Sequence, residues 1–216
     1  MDIQHDIDTL VFDYGGVIVN LNNRQVTDAL CKLGVGRIKQ VVYGRRIKRL
    51  IREFIDGLVP TEVTLAQMLK LCRRGTTTDQ LLDVLRKLCG DLPTSRLQAL
   101  VELRKHYKVY MLSNISDVLW QMSAQQIRDL DHEPAECYDG FYLSYEMGVA
   151  KPDSRIYTQM FADAGINPQR ALYFEDRIDN YNAGKALGLQ AVLVETNHLE
   201  QTAEWQALMQ AISQMK

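Results

Sequence analysis

The chain has 216 residues, 46% of them hydrophobic, with 25 basic and 27 acidic side chains and a formal net charge of −2. That composition supports a sizeable core and argues against disorder and against a dedicated nucleic-acid binder. No apolar run approaches a membrane span, and Met1–Asp6 is acidic and polar, unlike a secretory leader. Cys31, Cys72, Cys89 and Cys137 form no C-x-x-C pair and read as buried free thiols in a reducing compartment, and the four histidines are dispersed. A cytoplasmic protein is expected.

Residues 8–13 read as a strand of β-branched and aromatic residues ending in Asp13. Gly15 and Gly16 break it, and 17–19 continue apolar as a short hairpin or flap. Helical periodicity begins at Asn22, with Val26, Leu30 and Leu33 on one face and Gly34 as its end. A second helix is predicted over 37–56, with Val41, Ile47, Leu50, Ile51, Phe54 and Ile55 as apolar positions, stopped by Gly57 and Pro60. Thr64 is expected to cap a third, running through Leu71, and a fourth spans about 79–89. Residues 21–92 thus form a helix-only insert with short loops, between a first core segment, 1–20, and a second, 93–216.

After Pro93 helices and strands alternate. Helix is predicted over 94–106, strand over 109–112, a helical stretch, then strand over 140–144. Lys151-Pro152-Asp153 opens a helix reaching Ala164, followed by strand 171–174, helix 180–187 and strand 191–194. A terminal amphipathic helix covers 200–214 with Trp205, Leu208, Met209 and Ile212 on its apolar side; Trp120 and Trp205 read as core or interface anchors. The alternation predicts an α/β fold with a doubly wound, parallel, Rossmann-like sheet and a helical cap inserted after its first strand.

Asp13, Ser113 with Asn114, and Glu175 with Asp176 each directly follow an apolar strand, and Lys151 lies in the loop after another. The carboxyl ends of parallel strands share one edge, so these residues converge there. Any one alone reads equally as a cap or turn residue; the set is hard to explain as capping.

Four motifs occur in order: Phe12-Asp13-Tyr14-Gly15-Gly16-Val17, Leu112-Ser113-Asn114, Gly148-Val149-Ala150-Lys151-Pro152-Asp153, and Tyr173-Phe174-Glu175-Asp176 with Asn180, Ala183, Gly184 and Gly188 downstream. With them the chain resembles the haloacid dehalogenase-like hydrolase superfamily over essentially its whole length. The D-x-G-x-V form of the first motif is similar to that of bacterial members that include sugar-phosphate phosphatases. The resemblance implies a Mg²⁺-dependent phosphatase of a small phosphorylated metabolite (a sugar phosphate or an FMN-type phosphate), acting through an aspartyl-phosphate on Asp13. It implies Asp13, Ser113 and Lys151 as catalytic residues, and Asp13, the Gly15 carbonyl, Asp176 and Glu175 as the metal site. Glu175 would support Asp176 or a metal-bound water. Gly16 and the Asn114 backbone would bind substrate. It implies no nucleic-acid or membrane partner, and a monomer or homodimer.

One position departs from the family pattern. Its phosphatases carry a second aspartate two residues after the nucleophile, and here that position is Gly15. Three readings stay open: a phosphatase whose leaving group departs easily or is protonated through water or the cap; a metal-independent 2-haloacid dehalogenase; or a catalytically weak ligand-binding homologue. In the insert, Arg45, Arg49 and Arg52 share a helix face. They read either as a solvated basic face or, for Arg45 and Arg49 in particular, as groups reaching an anionic or hydroxyl-rich substrate, with Arg24 near the flap as a further candidate.

Overall fold

The computed structural model describes residues 7–214; the polar Met1–Asp6 segment lies outside them. Strands β1 (Thr9–Phe12), β2 (Lys108–Ser113), β3 (Gly140–Leu143), β4 (Ala171–Glu175) and β5 (Gln190–Leu193) form one parallel sheet in the order β3-β2-β1-β4-β5. All four residues of β1 are buried, as expected of a central strand covered on both faces. Side chains alternate across the sheet. Leu10, Phe12, Met111 and Phe174 face one way, with α5 (Thr94–Leu103), α6 (Asp117–Arg128) and α11 (Ala203–Gln214). Val11, Leu112 and Tyr173 face the other, with α9 (Ser154–Ala164) and α10 (Ile178–Ala186). Trp205 sits 4% exposed with its ring edge-on to Phe12 and Phe174, a core anchor as expected.

Register positions the chemistry. Phe12 pairs with Met111 on one side and Phe174 on the other, so the residues just beyond these pairs meet at one edge. The chain order reverses between β1 and β4, and ligands of open α/β sheets bind at such a reversal.

Between β1 and β2 lie α1 (Asn23–Lys32), α2 (Arg37–Asp56), α3 (Thr61–Leu69) and α4 (Thr78–Leu85). Leu30, Ile47, Leu50, Phe54, Leu65, Met68, Leu81 and Leu85 fill the space among them. Two antiparallel linkers join this unit to the sheet: Asn20 N–H donates to Asp91 O (3.0 Å), Asn22 N–H to Leu88 O (3.2 Å), and Leu21 bridges Cys89.

Several local expectations shift. α3 starts a turn earlier than Thr64, after Pro60, because Thr64 is fully buried and faces the core. Val41 is 84% exposed, so the apolar stripe of α2 begins at Ile47. Helix 94–106 ends at Leu103, and the terminal helix starts at Ala203 after a 3₁₀ turn, Leu199–Gln201. Two helices, α7 (Pro134–Cys137) and α8 (Ser144–Met147), are too short for a periodic signal.

The flap after Asp13 is held by a buried arginine of α5. Arg96, 2% exposed, donates to the carbonyls of Val17 (2.9 Å), Ile18 (3.1 Å) and Asn197 (3.0 Å) and to Asn20 Oδ1 (3.0 Å), and pairs with both Glu200 oxygens (2.6 and 2.8 Å). Gly16 turns the flap at φ +81°, and a Cβ there would lie 2.3 Å from Asp176 Oδ2. Gly15 differs: a Cβ there meets only Leu21, at 3.4 Å.

Arg96→Met leaves flap carbonyls unpaired, at about 1–3 kcal/mol each, and lowers stability by about 2–4 kcal/mol in denaturant melts. Hydrogen bonds from Arg96 hold the Glu200 carboxyl below its ordinary 4.5. Its contribution is therefore complete above pH 4.5 and is lost as pH falls through the depressed value; Glu200→Gln removes that segment of the acid titration of stability. Independently, Gly16→Ala lowers stability by at least about 1–3 kcal/mol through the left-handed backbone and the clash with Asp176, while Gly15→Ala stays within about 1 kcal/mol. Parallel thermal melts of the two variants check the contrast.

Candidate active site

β1 ends at Phe12 and delivers Asp13, 6% exposed, to the carboxyl edge of the sheet; its N–H donates to Phe174 O (2.9 Å). Three donors converge on its Oδ1: the Tyr14 N–H (2.7 Å), Ser113 Oγ (3.0 Å) and Lys151 Nζ (3.0 Å). Lys151 Nζ also reaches Leu112 O and Glu175 Oε2, each at 2.7 Å. All three donor positions of the ammonium are thereby used. Glu175, fully buried, takes the Tyr173 hydroxyl (2.5 Å) on Oε2 and the Arg177 N–H (2.9 Å) on Oε1. Asp176 is half-buried, with Thr196 Oγ1 donating to its Oδ2 at 2.8 Å.

The charges set one another. Burial works against the Lys151 ammonium, but Asp13 and Glu175 more than compensate and keep it protonated. Burial likewise raises Glu175, yet Lys151, Tyr173 and the Arg177 N–H together hold it below the ordinary value. Asp13 is pushed up to about 7, by burial first and then by Glu175, against the pull of Lys151. Burial also raises Asp176. Three carboxylates thus share one ammonium. Ligand atoms of Asp13, Glu175 and Asp176 lie within 4.8 Å of one another, an all-oxygen set suited to a hard divalent cation that would relieve the surplus charge.

A cavity of about 290 Å³ opens over Asp13. Gly15, Ser113, Asn114 and Asp176 line it, beside the apolar Leu21, Ile55, Leu88, Ile115 and Leu119. The Asn114 side chain is fully engaged: Nδ2 donates to Asp56 Oδ1 (3.0 Å) and Lys151 O (2.9 Å), and Oδ1 accepts from Lys151 N–H (2.8 Å). It therefore acts on the site as a brace.

Other expected residues are placed differently. The Gly16 N–H donates to Val19 O (2.8 Å) and its carbonyl accepts from Asn197 (2.7 Å), so its backbone closes the flap and is not offered to a ligand. Arg45 and Arg49 are exposed, do not line the cavity, and Arg49 pairs with Glu53 at 3.4 Å. α2 meets the cavity at its C-terminal end, about 16 Å along the axis from Arg45 and about 10 Å from Arg49. Arg24 is likewise absent from the lining. Asp56, Arg177 and Thr196 do line it and escaped the sequence reading. Arg177 and Thr196 were findable as near neighbours of a strand end, whereas Asp56 carries no such signal.

The D-ribitol-5-phosphate phosphatase of Bacteroides thetaiotaomicron is 28% identical over 200 residues, covering 92% of this chain and 95% of that protein. A haloacid dehalogenase family enzyme of the same organism, solved as a magnesium complex, superposes with a TM-score of 0.79 at 25% identity, covering 91% of this chain and 100% of the other. An L-2-haloacid dehalogenase shares the fold at a TM-score of 0.61 and 14% identity, covering 97% of this chain and 100% of the other. The family profile described as haloacid dehalogenase-like hydrolase matches residues 7–188. Its match across most of the chain, on a parallel sheet with Asp13, Ser113, Lys151 and Asp176 at one edge, establishes that the chain belongs to the haloacid dehalogenase-like hydrolase family.

Proposed function

We propose that this chain is a Mg²⁺-dependent phosphatase that hydrolyses a small sugar or polyol phosphate through a phosphoryl group carried on Asp13. One observation carries the reading: a buried nucleophilic carboxylate held by Lys151 and Ser113 beside a second, metal-competent carboxylate, Asp176. The ribitol-phosphate phosphatase and the magnesium-bound relative support it.

In this mechanism Asp13 attacks phosphorus, the bond to the leaving oxygen breaks, and water then cleaves the acyl phosphate. The bonds to Oδ1 fix the carboxylate before substrate arrives, so its attack needs little reorientation. The backbone N–H of Asn114, and the Ser113 hydroxyl as it turns from Asp13 Oδ1, donate to the non-bridging phosphoryl oxygens, and Lys151 offsets the charge shared by Asp13 and the phosphoryl group. Glu175 orients Lys151 and belongs to the metal site as an outer partner. Asp13, the Gly15 carbonyl and Asp176 would hold Mg²⁺. When bound, the ion supplies charge neutralisation for the transferring phosphoryl group.

The cavity supports the choice of substrate. At about 290 Å³ it lies at the small end of ligand sites, which favours a short polyol or sugar over a flavin. Asn23 and Asn180 supply hydroxyl partners among apolar walls. The acidic trio favours phosphoryl chemistry over dehalogenation, in which a halide leaving group needs no dication. We assign residues 21–92 as a cap over the site, hinged at the paired linkers around Leu21 and Cys89.

Phosphate release from ribitol 5-phosphate and from hexose phosphates is expected to stop with EDTA and to return with Mg²⁺. Asp13→Asn is expected to reduce it at least about 10⁴-fold while the melting temperature is kept. Turnover that survives either treatment contradicts the reading.

A further inference from the structure

The acid–base group that Gly15 lacks has to come from elsewhere if an alkoxide is to leave. The neighbourhood of Gly15 does not supply it, since the side chain facing a Cβ there is the apolar Leu21. Among the described residues three carboxylates line the cavity: Asp13, Asp176 and Asp56. The first is the proposed nucleophile, and the second is held by Thr196 at the metal-competent trio. Asp56, on the last turn of α2, has no task in the mechanism above.

Its position is built with care. The Asp56 carbonyl accepts from Ser144 Oγ (2.6 Å), which itself accepts from the Ile115 N–H (2.9 Å). The next residue, Gly57, ends α2 at φ +65° and packs so tightly that a Cβ would lie 2.8 Å from Ser116 Cα and 2.7 Å from Tyr145 Cβ. Thr61 Oγ1 donates to Asp117 at 3.1 Å. The end of α2 is thus docked on the loop following β2 and on α8. The Asn114 amide donates to Asp56 Oδ1 and, through the Lys151 backbone, ties it to the residue whose ammonium holds Asp13. Among the described residues no hydrogen bond engages Asp56 Oδ2.

We propose that Asp56, supplied by the α2 terminus, is the general acid and base of this phosphatase, taking the part of the carboxylate missing at Gly15. This rests on the phosphatase reading above. As Asp13 attacks phosphorus, the bond to the leaving oxygen breaks with its electron pair, and the Asp56 carboxyl proton passes to that oxygen. Water then attacks phosphorus and gives its proton to the Asp56 carboxylate. The bond from phosphorus to Asp13 breaks, and both aspartates return to their starting states. The surroundings suit the task. Burial raises the Asp56 carboxyl, and the negative end of α2 acts in the same direction; Asn114, Arg52, Arg177 and Lys151 oppose it.

The test compares wild type and Asp56→Asn, which keeps the acceptor for Asn114, on two phosphates in rapid-quench kinetics. Ribitol 5-phosphate expels the ribitol alkoxide, which needs a proton; p-nitrophenyl phosphate expels p-nitrophenolate, a stable anion that does not. Asp56→Asn is expected to lose about 10²–10⁴-fold in the first step with the alkyl ester. With the aryl ester it should still give a stoichiometric burst of p-nitrophenol, followed by slow turnover, because water activation is also lost. The burst itself reports a folded site, and Asp56→Glu should restore part of the alkyl activity. Unchanged alkyl hydrolysis overturns the assignment to Asp56, as does an equal loss of the first step with both esters. If wild type releases phosphate from neither ester with Mg²⁺, the phosphatase reading itself fails and this inference with it.

Discussion

The structure depends on one buried ammonium. Lys151 is held without solvent contact between Asp13 and Glu175, with a third bond to the Leu112 carbonyl. Three segments far apart in sequence meet at that atom, the ends of β1, β2 and β4. Removing the charge would strand two buried carboxylates, a loss of about 3–5 kcal/mol for a broken buried pair. The same arrangement sets the chemistry, since the ammonium keeps Glu175 ionised and draws the Asp13 carboxyl down against the upward push of burial and of Glu175. A site this polar persists in a core this apolar because its members satisfy one another.

Around this centre the protein uses rigid supports. Arg96 pins the flap carbonyls, and Asn197 closes on Gly16 and Leu21, so the turn after Asp13 is fixed against the loop that orients Asp176. Asn114 acts similarly between the sheet and the helical unit. The cavity wall is therefore composite. The sheet edge contributes the reacting groups, while the linkers and the end of α2 contribute Leu21, Ile55, Asp56, Leu88 and Cys89. A substrate's phosphate and its leaving group would meet different parts of the chain.

Much of the site was legible in the sequence. Asp13, Ser113, Glu175 and Asp176 each directly follow an apolar run, and parallel topology brings such positions to one edge. Arg45 and Arg49 show the limit: helical periodicity places them on one face but does not say which end of a 20-residue helix meets the cavity. Asp56 was hidden for the same reason, as an ordinary acidic residue before a helix-ending glycine. Its significance comes from docking onto Ser144 and Asn114, a contact across 88 and 58 residues of chain. Gly16 was legible as a turn former, but its close approach to Asp176 was not.

The central claim is that Asp13 carries the phosphoryl group, and mass spectrometry of the enzyme quenched during turnover tests it most directly. With Mg²⁺ and substrate, the peptide containing Asp13 should gain the mass of one phosphoryl group, discharged by hydroxylamine and absent in Asp13→Asn. Steady release of phosphate with no phosphorylated peptide, or with the label on another residue, would contradict the account.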